Sequence, residues 1–197
     1  MSALAGARIV TPGDWADLDL DPSSRHQSIA RCVRRAVIAN PGLSAHAVRL
    51  ISLLDDVVRR AHDAGGFFCS SLVLSADDGP VVANVLMQLC SGDSSARGGS
   101  AEEACAGLAA AVSCDPSWAD ADVSVVSLTS VGPAVRVVVL AGGVCVQYLV
   151  PVPDSSEYVV LTFTSPSAAY AEAFVELFDS MAASFALDYE YAAAPNG

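Results

Sequence analysis

Between Val144 and Leu187 the chain reads as two apolar strands, a Pro-x-Pro bend between them, and one amphipathic helix after them. The strands are Val144–Val150 and Tyr158–Thr164, and the bend is Pro151-Val152-Pro153 followed by Asp154-Ser155-Ser156. So short a connection joins antiparallel neighbours, because a parallel pair needs a long crossover. Ser165-Pro166 then opens a helix whose stripe is Tyr170, Phe174, Leu177, Phe178, Met181 and Phe185. A stripe that wide must be buried against the sheet that precedes it.

Two further strands, Val123–Ser130 and Val135–Leu140, are set off by Gly132-Pro133 and Gly142-Gly143, extending the same antiparallel meander. Several of these strands are apolar on both faces, so both sides of the sheet should be covered. Upstream, Phe67–Ser75 and Val81–Cys90 read as a hairpin around Asp77-Asp78-Gly79-Pro80. In its second strand Asn84, Leu86 and Gln88 share one face, opposite Val81, Ala83, Val85, Met87 and Leu89. Ser91–Gly99 is polar and Gly-rich and is expected to be the flexible loop. Ser100-Ala101-Glu102-Glu103 is a capping box opening a helix through Val112, which Asp115-Pro116 closes.

The amino-terminal third adds helices. Trp15–Leu20 alternates, with Leu18 and Leu20 on one side and Asp17, Asp19 and Asp21 on the other, and predicts a half-buried strand. Asp21-Pro22 supplies an N-cap and a proline at the first helical position. The helix that follows carries Ile29, Cys32, Val33, Ala36 and Val37 on one face, leaves Arg31, Arg34 and Arg35 off that stripe, and stops at Asn40-Pro41-Gly42. A second helix runs from Leu43 to Ala61 with the stripe Leu50, Ile51, Leu54, Val57 and Val58. On its wet face Asp55–Arg59 and Asp56–Arg60 are acid-first pairs four residues apart. Gly65-Gly66 ends it. No element is assigned to the first fourteen residues, and the tail from Tyr189 to Gly197 is expected to fray. The expectation is one α/β (α+β) domain over residues 1–188 with a two-helix elaboration at about 22–65, and a flexible tail over 189–197. Its core is an antiparallel sheet of about six or seven strands sandwiched by helices.

The quoted C-terminal segments also carry a resemblance. Val146-Gln147-Tyr148-Leu149-Val150-Pro151-Val152-Pro153 leads to Val159-Val160-Leu161-Thr162-Phe163-Thr164-Ser165-Pro166, then to Phe174-Val175-Glu176-Leu177-Phe178-Asp179-Ser180-Met181-Ala182-Ala183-Ser184-Phe185. The order of strand, Pro bend, strand ending in Phe-Thr-x-Pro, and helix ending in Phe-Asp-x-Met-x-x-Ser-Phe resembles the PsbP-like superfamily, in particular its small actinobacterial members. It covers the strand at Trp15–Leu20 and about Val123–Leu187; residues 22–65 have no counterpart in its better-known members. The resemblance implies an antiparallel sheet sandwiched by helices and a binding or assembly role. It supplies no catalytic residues.

The net charge is −12, and all ten basic residues are arginine. The arginine, with abundant Ala and Val, suggests a GC-rich genome. An anionic surface repels phosphate backbones and anionic lipid, so nucleic-acid and membrane partners are not expected and a basic protein partner is favoured. The apolar run around Val135–Val150 is broken by Arg136, Gly142, Gly143 and Gln147, so it does not read as a membrane span. The first fourteen residues lack a basic stretch followed by an apolar one, which argues against a secretory signal and for a cytoplasmic location. The six cysteines form no C-x-x-C and read as small core hydrophobes.

Asp17, Asp19 and Asp21 are the sharpest polar cluster. They could grip an Arg-rich partner or a divalent cation, but no EF-hand spacing follows them, and an edge strand protected by like charges explains them more simply. Arg31, Arg34 and Arg35 form the one basic patch, either a solvated helix face or a surface that pairs with the acidic strand of a second copy. These six are the candidate partner-binding residues. No histidine pair has the spacing of a helical zinc site, and Cys69-Ser70-Ser71 lacks a nucleophile elbow. Gly98-Gly99-Ser100 has no phosphate-loop lysine behind it. No catalytic residue, cofactor or metal is therefore assigned. The expected function is a non-enzymatic protein-binding or assembly protein, with a homodimer compatible. The alternatives are a secretion-chaperone-like adaptor, or a small-molecule-binding protein or enzyme with Asn84, Gln88 and Arg136 entering a sheet–helix pocket.

Overall fold

The structure, a computed structural model, describes residues 2–77, 79–92 and 100–191. The first strand, β1 (Ser2–Arg8), is followed by β2 (Ala16–Asp17), α1 (Arg25–Ala39) and α2 (Ala47–Asp63). The hairpin is β3 (Gly66–Ala76) and β4 (Gly79–Ser91), and α3 (Ala101–Cys114) crosses to β5 (Asp122–Leu128). Then come β6 (Gly132–Val139), β7 (Val144–Pro151), β8 (Glu157–Ser165), α4 (Ala171–Ala183) and β9 (Ala186–Tyr191). Seven strands form one antiparallel sheet in the order β2-β3-β4-β8-β7-β6-β5. The hairpin and the meander join at the centre, where β4 pairs with β8.

One sheet face is packed by Ala83, Val85, Met87, Val146, Leu161 and Phe163, over which α4 lays Phe174, Phe178 and Met181. Phe178 stacks between Phe163 and Phe174, with ring centroids 5.1 and 5.4 Å away. Aromatic contacts of that kind contribute about 0.5–1.5 kcal/mol beyond the area they bury. Of the expected stripe, Tyr170 falls in the turn before α4 and is exposed, while Phe185 is buried just beyond the helix.

The opposite face is covered by two separate helical layers. Helices α1 and α2 pack Ile29, Val33, Leu50, Leu54 and Val58 onto Cys69, Val73 and Val82 at the β3 side. Helix α3 packs Cys105, Leu108 and Val112 onto Val135, Val137 and Leu149 at the β5 side. Its capping box forms in both directions, Ser100 Oγ accepting from Glu103 N at 3.2 Å and Glu103 Oε2 accepting from Ser100 N at 2.9 Å.

Several local expectations are corrected. The Trp15–Leu20 strand shrinks to Ala16–Asp17, with one further bond from Leu18 N to Cys69 O at 2.9 Å. The acidic side chains turn the chain away from the ladder: Asp19 Oδ1 accepts from Asp21 N at 3.2 Å, and Asp21 Oδ1 accepts from Ser23 N at 2.7 Å. Such Asx turns compete with strand pairing for the backbone donor. Helix α1 consequently starts at Arg25, after a turn in which Asp21 O accepts from Ser24 N and Arg25 N. Residues Pro41–His46 are a 3-10 turn, so α2 begins at Ala47.

The two i,i+4 pairs do not form. Asp56 pairs with Arg59 at 2.8 Å, and Asp55 faces α1, where Arg25 and His26 each lie 3.4 Å away. The tail does not fray at Tyr189. Strand β9 pairs antiparallel with β1, from Ser2 opposite Tyr191 to Arg8 opposite Ala186. This ribbon packs Leu4 and Leu187 against the α4 side of the core. Ser91 ends β4; Asp78, most of the expected flexible loop (93–99) and the last six residues (192–197) lie outside the described residues.

Candidate functional site: a cleft on the central strands

Because α2 sits over β3 and α3 over β5–β7, the middle of that sheet face is left as a cleft of about 590 Å³. Its floor follows from side-chain alternation. Ser71, Asn84, Thr164 and Cys145 are successive cross-strand partners on β3, β4, β8 and β7, and the adjacent row is Leu86, Thr162 and Gln147. Asn84, Gln88, Gln147, Thr162 and Thr164 thus present neutral polar groups to the cleft. The walls are apolar, with Leu53 and Val57 from α2 and Val139 at the end of β6.

Hydrogen bonds orient this floor. Ser71 Oγ donates to Asn84 Oδ1 at 2.7 Å, leaving the Asn84 Nδ2 group with no partner among the described residues, although Asn84 is only 6% exposed. Gln147 Nε2 donates to Thr162 Oγ1 at 3.3 Å, and Gln88 Nε2 is directed at Cys90 Sγ at 3.3 Å. Arg60 is the one charged side chain among the lining residues. At the mouth, Gly143 lets the start of β7 approach the end of β8; a Cβ there would lie 2.6 Å from Ser165 O.

The two expected partner-binding clusters do not form opposing faces of that site. Asp19 and Asp21 are engaged in the turns that launch α1, and Ser24 Oγ donates to Asp19 Oδ2 at 2.6 Å. Asp17 is exposed beside Arg31 and Arg35 in another, smaller depression of about 450 Å³. There Arg35 Nη2 donates to the carbonyls of Asp14 and Trp15, both at 2.7 Å, and fastens the segment before β2 onto α1. Arg34 is exposed and shares neither depression. Asn84 and Gln88 do line the central cleft, whereas Arg136 points to the opposite sheet face and meets Asp179 of α4. Sequence reasoning missed Gln147, Thr162 and Thr164. Their signal was a polar residue at every second position of otherwise apolar strands.

Cys69 is buried against the helical pair. Burial, aided by the negative charge of Asp17, pushes its thiol up to about 12. That is the reverse of the activation a nucleophilic thiol needs. Among the described residues no group of three or more His, Cys, Asp or Glu gathers as a metal site, and no helix is long and apolar enough to cross a membrane.

Fold and cleft together define an α+β protein in which a seven-stranded antiparallel sheet, covered by helices, holds a polar-floored, apolar-walled recess. In comparisons with known proteins, no family model matches the chain and no curated protein matches it.

Proposed function

We propose that this is a non-enzymatic binding protein that takes a small molecule into the cleft on β4, β8 and β7. Asn84 carries the reading: a side chain buried to 6% exposure, held by Ser71 on one side, keeps an unpartnered amide donor at a recess. The nitrogen is open to the cleft, and Gln147 and Thr162 turn further polar groups to the same recess, so a ligand with acceptor oxygens could replace solvent on this donor. The volume and the mixture of apolar wall with a few polar groups are those of small-molecule sites. The helix-covered antiparallel sheet, with α4 packed across β7 and β8, supports kinship with PsbP-like proteins as well.

The test is amide chemical-shift mapping with a library of small fragments. Binding should move the resonances of Asn84, Gln147 and Thr162, and Val57→Trp, which fills the wall, should abolish it while leaving the fold intact. Shifts confined to other surfaces would overturn the proposal.

A second reading, a protein partner or second copy of the chain on the outer side of α1 and α2, is favoured by Ile38 and Val48, which stand 76% and 83% exposed. Light scattering of wild type and Val48→Asp decides it. A monomer in both, with no partner mass, removes that reading.

A further inference from the structure

The protein carries a net charge of −12, yet among the described residues the central cleft is lined by no carboxylate and by one cation, Arg60. Arg60 sits in the last turn of α2, where its Nε donates to Asp56 O at 3.2 Å. Among the described residues no carboxylate lies within 4.0 Å of its guanidinium. Asp56 pairs with Arg59 at 2.8 Å and Asp55 with Arg25 at 3.4 Å. On the floor, the Asn84 Nδ2 group is an unengaged donor. Thr162 Oγ1 already accepts from Gln147, so its own proton is left to donate.

We infer that the ligand of this cleft is a small amphipathic carboxylate, its acceptor oxygens on Asn84, Thr162 and Arg60 and its apolar body against Leu53, Val57 and Val139. The inference rests on the reading of the cleft as a small-molecule site. A carboxylate offers acceptors only, which suits the donors of Arg60, Asn84 and Thr162, while the amide oxygens of Gln88 and Gln147 remain as acceptors elsewhere on the floor. An amine could donate to the Gln88 and Gln147 amide oxygens, but it would bring a positive charge to Arg60 with no carboxylate in the lining to balance it among the described residues. A phosphate dianion would find one countercharge for two. The C-terminal end of α2 opposes an anion by about half a charge. Two of its carbonyls are already engaged, however, Ala64 N donating to Arg60 O at 3.0 Å and Gly65 N to His62 O at 2.9 Å. The full charge of Arg60 outweighs the remainder.

The experiment titrates the purified chain with octanoate, octanol, octylamine and octyl phosphate, reading affinity by calorimetry and location by amide shifts. Octanoate should bind at least about tenfold more tightly than octanol, a difference of about 1.4 kcal/mol. Arg60→Gln should erase that preference. Arg59→Gln, which removes the same charge one residue earlier on a side chain outside the lining, should leave it unchanged. Octanol or octylamine binding as tightly as octanoate, octyl phosphate binding more tightly, or Arg60→Gln without effect would each overturn the carboxylate assignment. If shifts stay in the cleft in those cases, the small-molecule reading stands. Shifts at none of Asn84, Gln147 and Thr162 from any of the four probes would overturn both.

Discussion

Arg136 grips Asp179 with two parallel hydrogen bonds, Nε to Oδ1 at 3.0 Å and Nη2 to Oδ2 at 2.9 Å. Arg136 belongs to β6 and Asp179 to α4, so this fork fastens the helix to the sheet. Tyr148, the cross-strand partner of Arg136 on β7, donates its hydroxyl to the same Oδ1 at 2.5 Å. Burial, and then the Asp179 carboxylate, push the Tyr148 phenol up, so it remains a donor through the alkaline range.

Removing the shared acceptor should therefore cost more than removing one donor. Asp179→Ala leaves the Arg136 side chain, 16% exposed, without its countercharge. The expected loss is about 1–3 kcal/mol, toward the lower end because the Asp179 side chain is 41% exposed. Tyr148→Phe should cost about 0.5–1.5 kcal/mol. Urea unfolding of both variants measures this, and equal small losses would show that α4 is held by its aromatic stripe alone.

Alkaline pH should weaken the fold through Cys69. Its thiol is raised from an ordinary 9.0 to about 12 in the folded chain. Between those values the folded state keeps a proton that the unfolded state gives up. Stability from this group is thus complete below about pH 9 and falls as pH rises toward 12. Cys69→Ala should flatten that limb of a stability–pH profile. Below pH 9 a maleimide should label exposed Cys114 and spare buried Cys69 until the chain unfolds; rapid labelling of Cys69 in the native protein would contradict the buried, protonated thiol.

At the cleft mouth the two glycines of the β6–β7 turn should respond differently. In Gly143→Ala the new methyl meets Ser165 O at 2.6 Å and Pro166 Cα at 3.1 Å, so backbone must move. A loss of about 1–3 kcal/mol is expected, with altered amide shifts at Cys145 and Thr164. In Gly142→Ala the methyl meets nothing, but a φ of +71° costs about 1–2 kcal/mol, and the cleft shifts should stay put. Thermal unfolding and a two-dimensional spectrum of each variant separate clash from backbone strain; identical cleft shifts in both would refute the close approach at Gly143.

Much of this architecture was legible in residue order. Alternation in Val81–Leu89 determined that Asn84 and Gln88 share a face, and Ser100 with Glu103 determined where α3 begins, because pleat, helix period and capping are local properties of a few consecutive residues. The stripe of α2 was legible for the same reason. Its ion pairs were not, because Asp55 chose Arg25 on the neighbouring helix over Arg59 on its own. Tertiary structure alone decided that β4 lies beside β8, which brings Asn84 to Thr164 and creates the cleft floor. It likewise decided that the two ends of the chain pair as β1 and β9, and that Arg136 turns to Asp179 and away from the cleft. Periodicity says which residues share a face of one strand. It does not say which strand comes next or what lies above it. Closing a long loop costs little more than closing a moderate one, so those choices fall to the packing of the whole sheet and its helices.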